Sequence, residues 1–155
     1  MTLREGWVLA SFSYRDPPAG EVVAALQEGL ASEIQFQLRL YRRQQGLFAF
    51  LGDRLLAERR LVRTARFDRF EKLYRVQESG AAEARFPEAS SFLEAFCSLN
   101  SLSLGPLPPG AAVECYVLAR ARLTPVKLVF PLGLINLFFP QTSFLTSWLR
   151  EELPL

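Results

Sequence analysis

Residues 33–40, EIQFQLRL, decide the fold of this chain because polar and apolar side chains alternate there without exception. A β-strand points successive side chains to opposite faces of its sheet, so this period of two predicts a strand with one buried and one solvated face. The apolar positions are Ile34, Phe36, Leu38 and Leu40. An antiparallel sheet is therefore the expected centre of the fold.

Further strands and short helices are predicted on both sides of this stretch. Alternating apolar residues predict strands at residues 7–14, 55–67, 71–77 and 113–123. Helical spacing predicts short amphipathic helices at residues 21–30 and 92–100 and another short helix at 143–149. Ser91 and Glu94 form a capping-box pattern, which places the start of the second helix at Ser91. Residues 105–110, GPLPPG, are expected to be a loop.

The order of these elements indicates an α+β or mainly β fold. We expect an antiparallel sheet or β-sandwich-like domain with one or two packed amphipathic helices and a short C-terminal helix. Composition does not break along the chain, so residues 1–155 are predicted to form one globular domain that needs no disulfide or metal to fold. Cys97 and Cys115 are interpreted as buried free thiols, and a disulfide is the alternative.

The chain contains no histidine, which excludes several kinds of catalytic and metal site. Histidine general bases, Ser-His and Cys-His nucleophile systems and the commonest zinc and iron ligand sets all require this residue. The sequence also has no GxSxG, Walker, GxGxxG or CxxC motif. We therefore predict a protein that is not an enzyme and that uses no cofactor or metal.

Charge is the most uneven feature of the sequence. Residues 39–75 contain eleven basic and four acidic side chains, whereas the whole chain has 18 and 16. If the strands of this segment are neighbours, their solvated faces form an arginine-lined surface that attracts anionic lipid headgroups, nucleic acid or an acidic protein. The alternative is a solvated face whose arginines pair with acids across strands. The residues predicted to contact a partner are Arg39, Arg42, Arg43, Arg60, Arg63 and Arg66.

The apolar tract at residues 126–139 has two interpretations. It is too short and too often interrupted by proline and glycine to be a transmembrane helix. It either closes the core or forms a groove for a small apolar ligand or lipid. The groove candidates are Phe130, Leu134, Phe138 and Phe139. A third hypothesis, nucleic-acid binding by aromatic residues among the arginines, ranks behind these because no recognition motif accompanies it.

Several segments, taken in order, resemble a known bacterial family, domain of unknown function 4390 (DUF4390). They are "LREGWVLASFSY", "EVVAALQEGLASEIQFQLRLYRR", "LLAERRLVRTARFDRFEKLYRV", "SSFLEAF", "YVLARARL" and "PLGLINLFFPQTSFLTSWL". The resemblance implies an exported protein with an N-terminal signal or anchor, encoded near two-component sensor kinases of the nitrogen-regulation type. It implies no activity.

Charge and resemblance together predict a binding or accessory domain of the bacterial envelope. Its expected location is periplasmic or envelope-associated, and cytoplasmic if the protein is not exported. The expected partner is a protein or a surface of anionic lipid headgroups. The sequence begins directly at its first predicted strand, so we expect either that a targeting segment has been removed or that this member is not exported.

Overall fold

Two antiparallel sheets and two short α-helices make up the part of the chain that the computed structural model describes, residues 2–4, 6–44, 46–107, 114–127 and 142–153. The strands are β1 (Thr2–Arg4), β2 (Trp7–Ser13), β3 (Ala31–Arg42), β4 (Arg54–Asp68), β5 (Leu73–Glu78), β6 (Ala84–Phe86), β7 (Ser98–Pro106), β8 (Cys115–Lys127), β9 (Phe144–Leu145) and β10 (Leu149–Glu152). The helices are α1 (Ala19–Gln27) and α2 (Ala89–Cys97), and a 3-10 helix covers Gly46–Leu51.

Strand β3 lies at the centre of the larger sheet. The strand order in this sheet is β10-β8-β3-β4-β5-β6, and β9 also pairs with β8. The smaller sheet has the order β1-β2-β7. Every pairing is antiparallel. The predicted α+β or mainly β class, with an antiparallel sheet and packed helices, is confirmed.

The alternation in β3 gives the larger sheet an inner and an outer face. On the inner face Ile34 and Phe36 are fully buried. The smaller sheet packs against them, and Phe12 of β2 meets Phe36 edge to face with ring centroids 6.0 Å apart. Helices α1 and α2 cover the rest of this face and bury Leu26 and Phe92. Removal of this apolar surface from water is the main force that stabilises the fold.

The second predicted helix is present, but it begins and ends at other residues than predicted. The helix begins at Ala89, so Ser91 lies in its first turn and not at the N-cap, and its hydroxyl donates to the Glu88 carbonyl at 3.0 Å. The helix ends at Cys97, and the next nine residues form β7, which the sequence analysis missed. Two register shifts between β2 and β7, together with Ser101 at a φ of 53°, interrupt the alternation that would have identified the strand.

The predicted C-terminal helix at residues 143–149 was also wrong. Strands β9 and β10 both pair with β8. Between them, the Thr146 N–H donates to the Ala121 carbonyl, and the Thr146 hydroxyl accepts from the Ala121 N–H, both at 3.0 Å. This segment supplies hydrogen-bond partners to the backbone N–H and C=O groups along the free edge of β8. A short helix at this position would leave those groups unpaired.

The two cysteines are free and buried, as predicted. Burial raises the pKa of the Cys97 thiol to about 11, so this thiol stays protonated near neutral pH. Burial also raises the pKa of Cys115. Both residues act as small apolar core side chains.

Replacing Phe92 with alanine tests how α2 packs. Phe92 is fully buried and stacks on Tyr74 and Phe96, with ring centroids 4.8 Å and 5.3 Å away. We expect Phe92→Ala to lower the free energy of unfolding by about 3–5 kcal/mol in urea denaturation. Phe70, which is fully exposed, is the control, and Phe70→Ala should change stability by less than about 0.5 kcal/mol. Equal effects of the two substitutions would contradict this packing.

Candidate functional site

The outer face of the larger sheet carries most of the charge of its strands. Strand register and alternation place eight arginines and four acidic residues on it. The arginines are Arg39, Arg60, Arg66, Arg75, Arg85, Arg120, Arg122 and Arg150, and the acids are Glu33, Glu58, Asp68 and Glu152. Both α-helices and the smaller sheet pack on the inner face, so none of these three elements covers this surface.

Glu58 is the acidic centre of this face. Its carboxylate accepts hydrogen bonds from the Gln37 amide at 2.6 Å and from Arg60 Nε at 2.9 Å, and Arg39 Nε lies 3.6 Å from its second oxygen. The hydrogen bond from Gln37, followed by that from Arg60, holds the pKa of Glu58 below its usual value. Glu58 therefore stays ionised and fixes the positions of the side chains around it.

Trp148 contacts two arginines on the same face, Arg120 and the Arg39 that also lies beside Glu58. The guanidinium carbon of Arg120 lies 4.3 Å from the centroid of the Trp148 ring, and that of Arg39 lies 5.1 Å away. Arg120 Nε also donates to the Gln37 side-chain oxygen at 2.9 Å. A cation held over an aromatic ring keeps its charge, so these contacts orient the arginines without neutralising them.

At the β5–β6 edge of the sheet the charges are neutralised. Arg75 contacts three carboxylates, those of Asp68 at 2.6 Å, Glu71 at 3.0 Å and Glu83 at 3.3 Å. Arg85 shares two of these acids. Arg66 lies opposite Arg75 in the register, is exposed, and has no acidic partner among the described residues. Net positive charge therefore lies toward the centre of the sheet and not at this edge.

Three of the six predicted contact residues, Arg39, Arg60 and Arg66, lie on the outer face. Arg42 and Arg43 lie at the end of β3, where each pairs with an acid. Arg42 contacts Glu114 at 2.8 Å, and Arg43 pairs with Glu152. These two arginines belong to an ion-paired rim.

Arg63 lies on the opposite, inner face of β4, directly across from Ile34. Only 15% of its side chain is exposed. Its guanidinium binds Glu78 at 2.7 Å and the Ala95 carbonyl at 2.7 Å, and it also donates to the Ser98 carbonyl. Arg63 thus ties β4 to β5 and to the end of α2. The arginines of β4 recur every third residue, so a period of two must send some of them inward.

Arg120 and Arg122 are the outer-face cations that the sequence analysis missed. Their spacing of two in the YVLARARL strand was the available signal, because it places both on one face. They line a groove of about 320 Å³ together with Gln35, Gln37, Ser143 and Leu145. Arg122 donates to the Ser143 hydroxyl at 3.2 Å.

The other features considered are a metal site, a membrane span and the apolar groove, and the described residues bear only on the first two. Within that part of the chain, no group of three or more cysteine or acidic side chains is arranged to hold a metal ion. None of the helices there is long and apolar enough to span a membrane. The four groove candidates of the apolar tract, Phe130, Leu134, Phe138 and Phe139, lie outside the described residues.

Comparison with known protein families assigns the sequence to one of them. The pattern of a family described as "Domain of unknown function (DUF4390)" matches residues 1–152. The chain belongs to this family. No curated protein and no solved structure matches it. The DUF4390 assignment confirms the resemblance seen in the sequence, and the family's description names no activity.

The contrast between Arg63 and Arg60 gives a direct stability test. Arg63→Ala leaves two backbone carbonyls and the Glu78 carboxylate without their donor, so we expect it to lower the free energy of unfolding by about 2 kcal/mol or more. Arg60→Ala removes only an exposed ion pair and should cost less than about 1 kcal/mol. Urea denaturation of both variants measures the difference. If Arg60→Ala lowered the free energy of unfolding as much as Arg63→Ala does, the assignment of Arg60 to the outer face and of Arg63 to the inner face would be contradicted.

Proposed function

We propose that this DUF4390 protein is a non-enzymatic binding domain of the bacterial envelope that binds an anionic partner through the outer face of its larger sheet. The partner is a protein or a surface of anionic lipid headgroups. The residues proposed to bind it, here called the arginine face, are Arg39, Arg60, Arg66, Arg120 and Arg122.

The single observation that carries this proposal is the excess of positive charge within the arginine face. Arg39 and Arg60 share one carboxylate, that of Glu58. Arg120 and Arg122 have only neutral hydrogen-bond partners among the described residues. Guanidinium groups in this state create a positive potential and offer paired N–H donors to carboxylates or phosphates.

The charge pattern around the arginine face also favours a binding role. Around the arginine face, arginines are paired with acids, as at Arg43 beyond the end of β3 and at Arg75 on β5. A face used only for solvation would be expected to carry such pairs throughout. Arg120 and Arg122 instead contact a glutamine, a tryptophan and a serine, which leave their charge available.

The envelope location and the absence of catalysis rest on different evidence. The location follows from the export signal or anchor that the family resemblance implies. The non-enzymatic assignment follows from a sequence without histidine or a known catalytic motif. Both are parts of the proposal.

Fractionation of the native bacterium tests the location and the arginine face together. We expect the full-length protein in the envelope fractions, bound to membranes at low salt and released by moderate salt, because exposed charge pairs are screened. In the variant R60Q/R66Q, the ratio of bound to soluble protein should fall about 30-fold if each arginine contributes roughly 1 kcal/mol.

The matched control is R15Q/R59Q, which removes the same net charge. Arg15 and Arg59 are both exposed, and Arg59 is the neighbour of Arg60 on the other face of β4. This variant should fractionate like the wild type. Purely cytosolic wild-type protein would refute the location, and equal losses in the two variants would refute the arginine face.

A further inference from the structure

A groove at one side of the arginine face has the size and the chemistry of a small-ligand site. Its volume of about 320 Å³ lies at the lower end of the range for such sites, which is roughly 300–1,000 Å³. β3 contributes Gln35 and Gln37, and β8 contributes Arg120 and Arg122. Ser143, just before β9, and Leu145, in β9, also line it.

Two neighbouring arginines define the chemistry of this groove. Arg120 and Arg122 are two residues apart on one strand, so their backbones are about 7 Å apart and their side chains share a face. Among the described residues, neither has a carboxylate within ion-pair distance, and none of those that line the groove is acidic. Each guanidinium has five N–H donors, and most of them have no acceptor among the described residues.

Both arginines are held in place before any ligand binds. Gln37 and Trp148 fix the Arg120 guanidinium, at 2.9 Å and 4.3 Å respectively. The Ser143 hydroxyl holds Arg122 at 3.2 Å. Side chains that are already ordered lose less conformational entropy on binding, so such an arrangement favours affinity.

The remaining lining adds one neutral polar group and one apolar wall. The Gln35 amide has no hydrogen-bond partner within the described part of the chain, so it is free to donate to a ligand oxygen. Leu145 lies opposite Arg122 in the register and is 56% exposed. The groove therefore suits an anion that is attached to a small apolar group.

We infer that this groove binds a phosphate group, either on a free small molecule or on a lipid headgroup. A phosphate monoester carries about −1.5 to −2 charge near pH 7, which matches two guanidinium groups, and its oxygens accept the paired N–H donors of arginine. The inference rests on the proposed function, because it assigns the anion that one part of the arginine face recognises.

Calorimetric titration of the purified protein at low salt tests this site. Two probes separate the sources of the phosphate: inorganic pyrophosphate, and phosphatidylcholine vesicles that contain phosphatidic acid. We expect saturable binding of at least one probe, weakened about tenfold or more by Arg122→Gln and by Arg120→Gln. Arg15→Gln, which removes an exposed arginine outside the face, should leave the affinity unchanged.

Each outcome decides a different point. Binding of pyrophosphate alone assigns a soluble ligand, and binding of vesicles alone assigns a headgroup. Absence of binding to both probes, or affinities that Arg122→Gln leaves unchanged, overturns the inference. Arg60 and Arg66 do not line the groove, so the variant R60Q/R66Q separates this inference from the proposed function. If that variant binds phosphate like the wild type and also associates with membranes like the wild type, the phosphate site is retained and the wider arginine face is rejected.

Discussion

The alternation of side chains in β3 is the constraint on which the rest of the structure depends. This strand pairs along almost its whole length with β4 on one side and β8 on the other. Its apolar residues must be buried, and the antiparallel register then assigns every facing residue of both neighbours to the inner or the outer face. A slip of one residue would expose Phe36 and bury the Glu58 network.

The same constraint separates stability from recognition. Arginines sent inward become structural, as with Arg63, whose guanidinium joins a strand to the end of a helix. Arginines sent outward remain charged, and a glutamine, a tryptophan and one central carboxylate orient them. A single strand pattern thus produces a hydrophobic core on one side of the sheet and a polar network on the other.

Sequence patterns predicted the elements whose side chains follow a regular local period. Strand β3, most of β8 and the buried thiols follow from strict alternation and from small apolar residues. Strand β7 could not be predicted, because bulges break its period, nor could β9 and β10, because pairing with the edge of β8 overrides their helical spacing. A short window of sequence does not show which distant strand a segment will pair with.

The candidate site was predicted only in part for a related reason. The excess of arginine was visible in the composition, but assigning each residue to a face requires the register. Arg63 was therefore included although it faces inward, and Arg120 and Arg122 were omitted although β8 brings them beside β3.

Photo-crosslinking in the native bacterium tests most directly whether the outer face is the binding face. A photoreactive amino acid at Val62, which lies on this face between Arg60 and Arg66, should form an adduct with a protein or a lipid. The same group at Ser13, an exposed position on the smaller sheet, should form none. Adducts from Ser13 alone, or no adduct from Val62, would contradict the account.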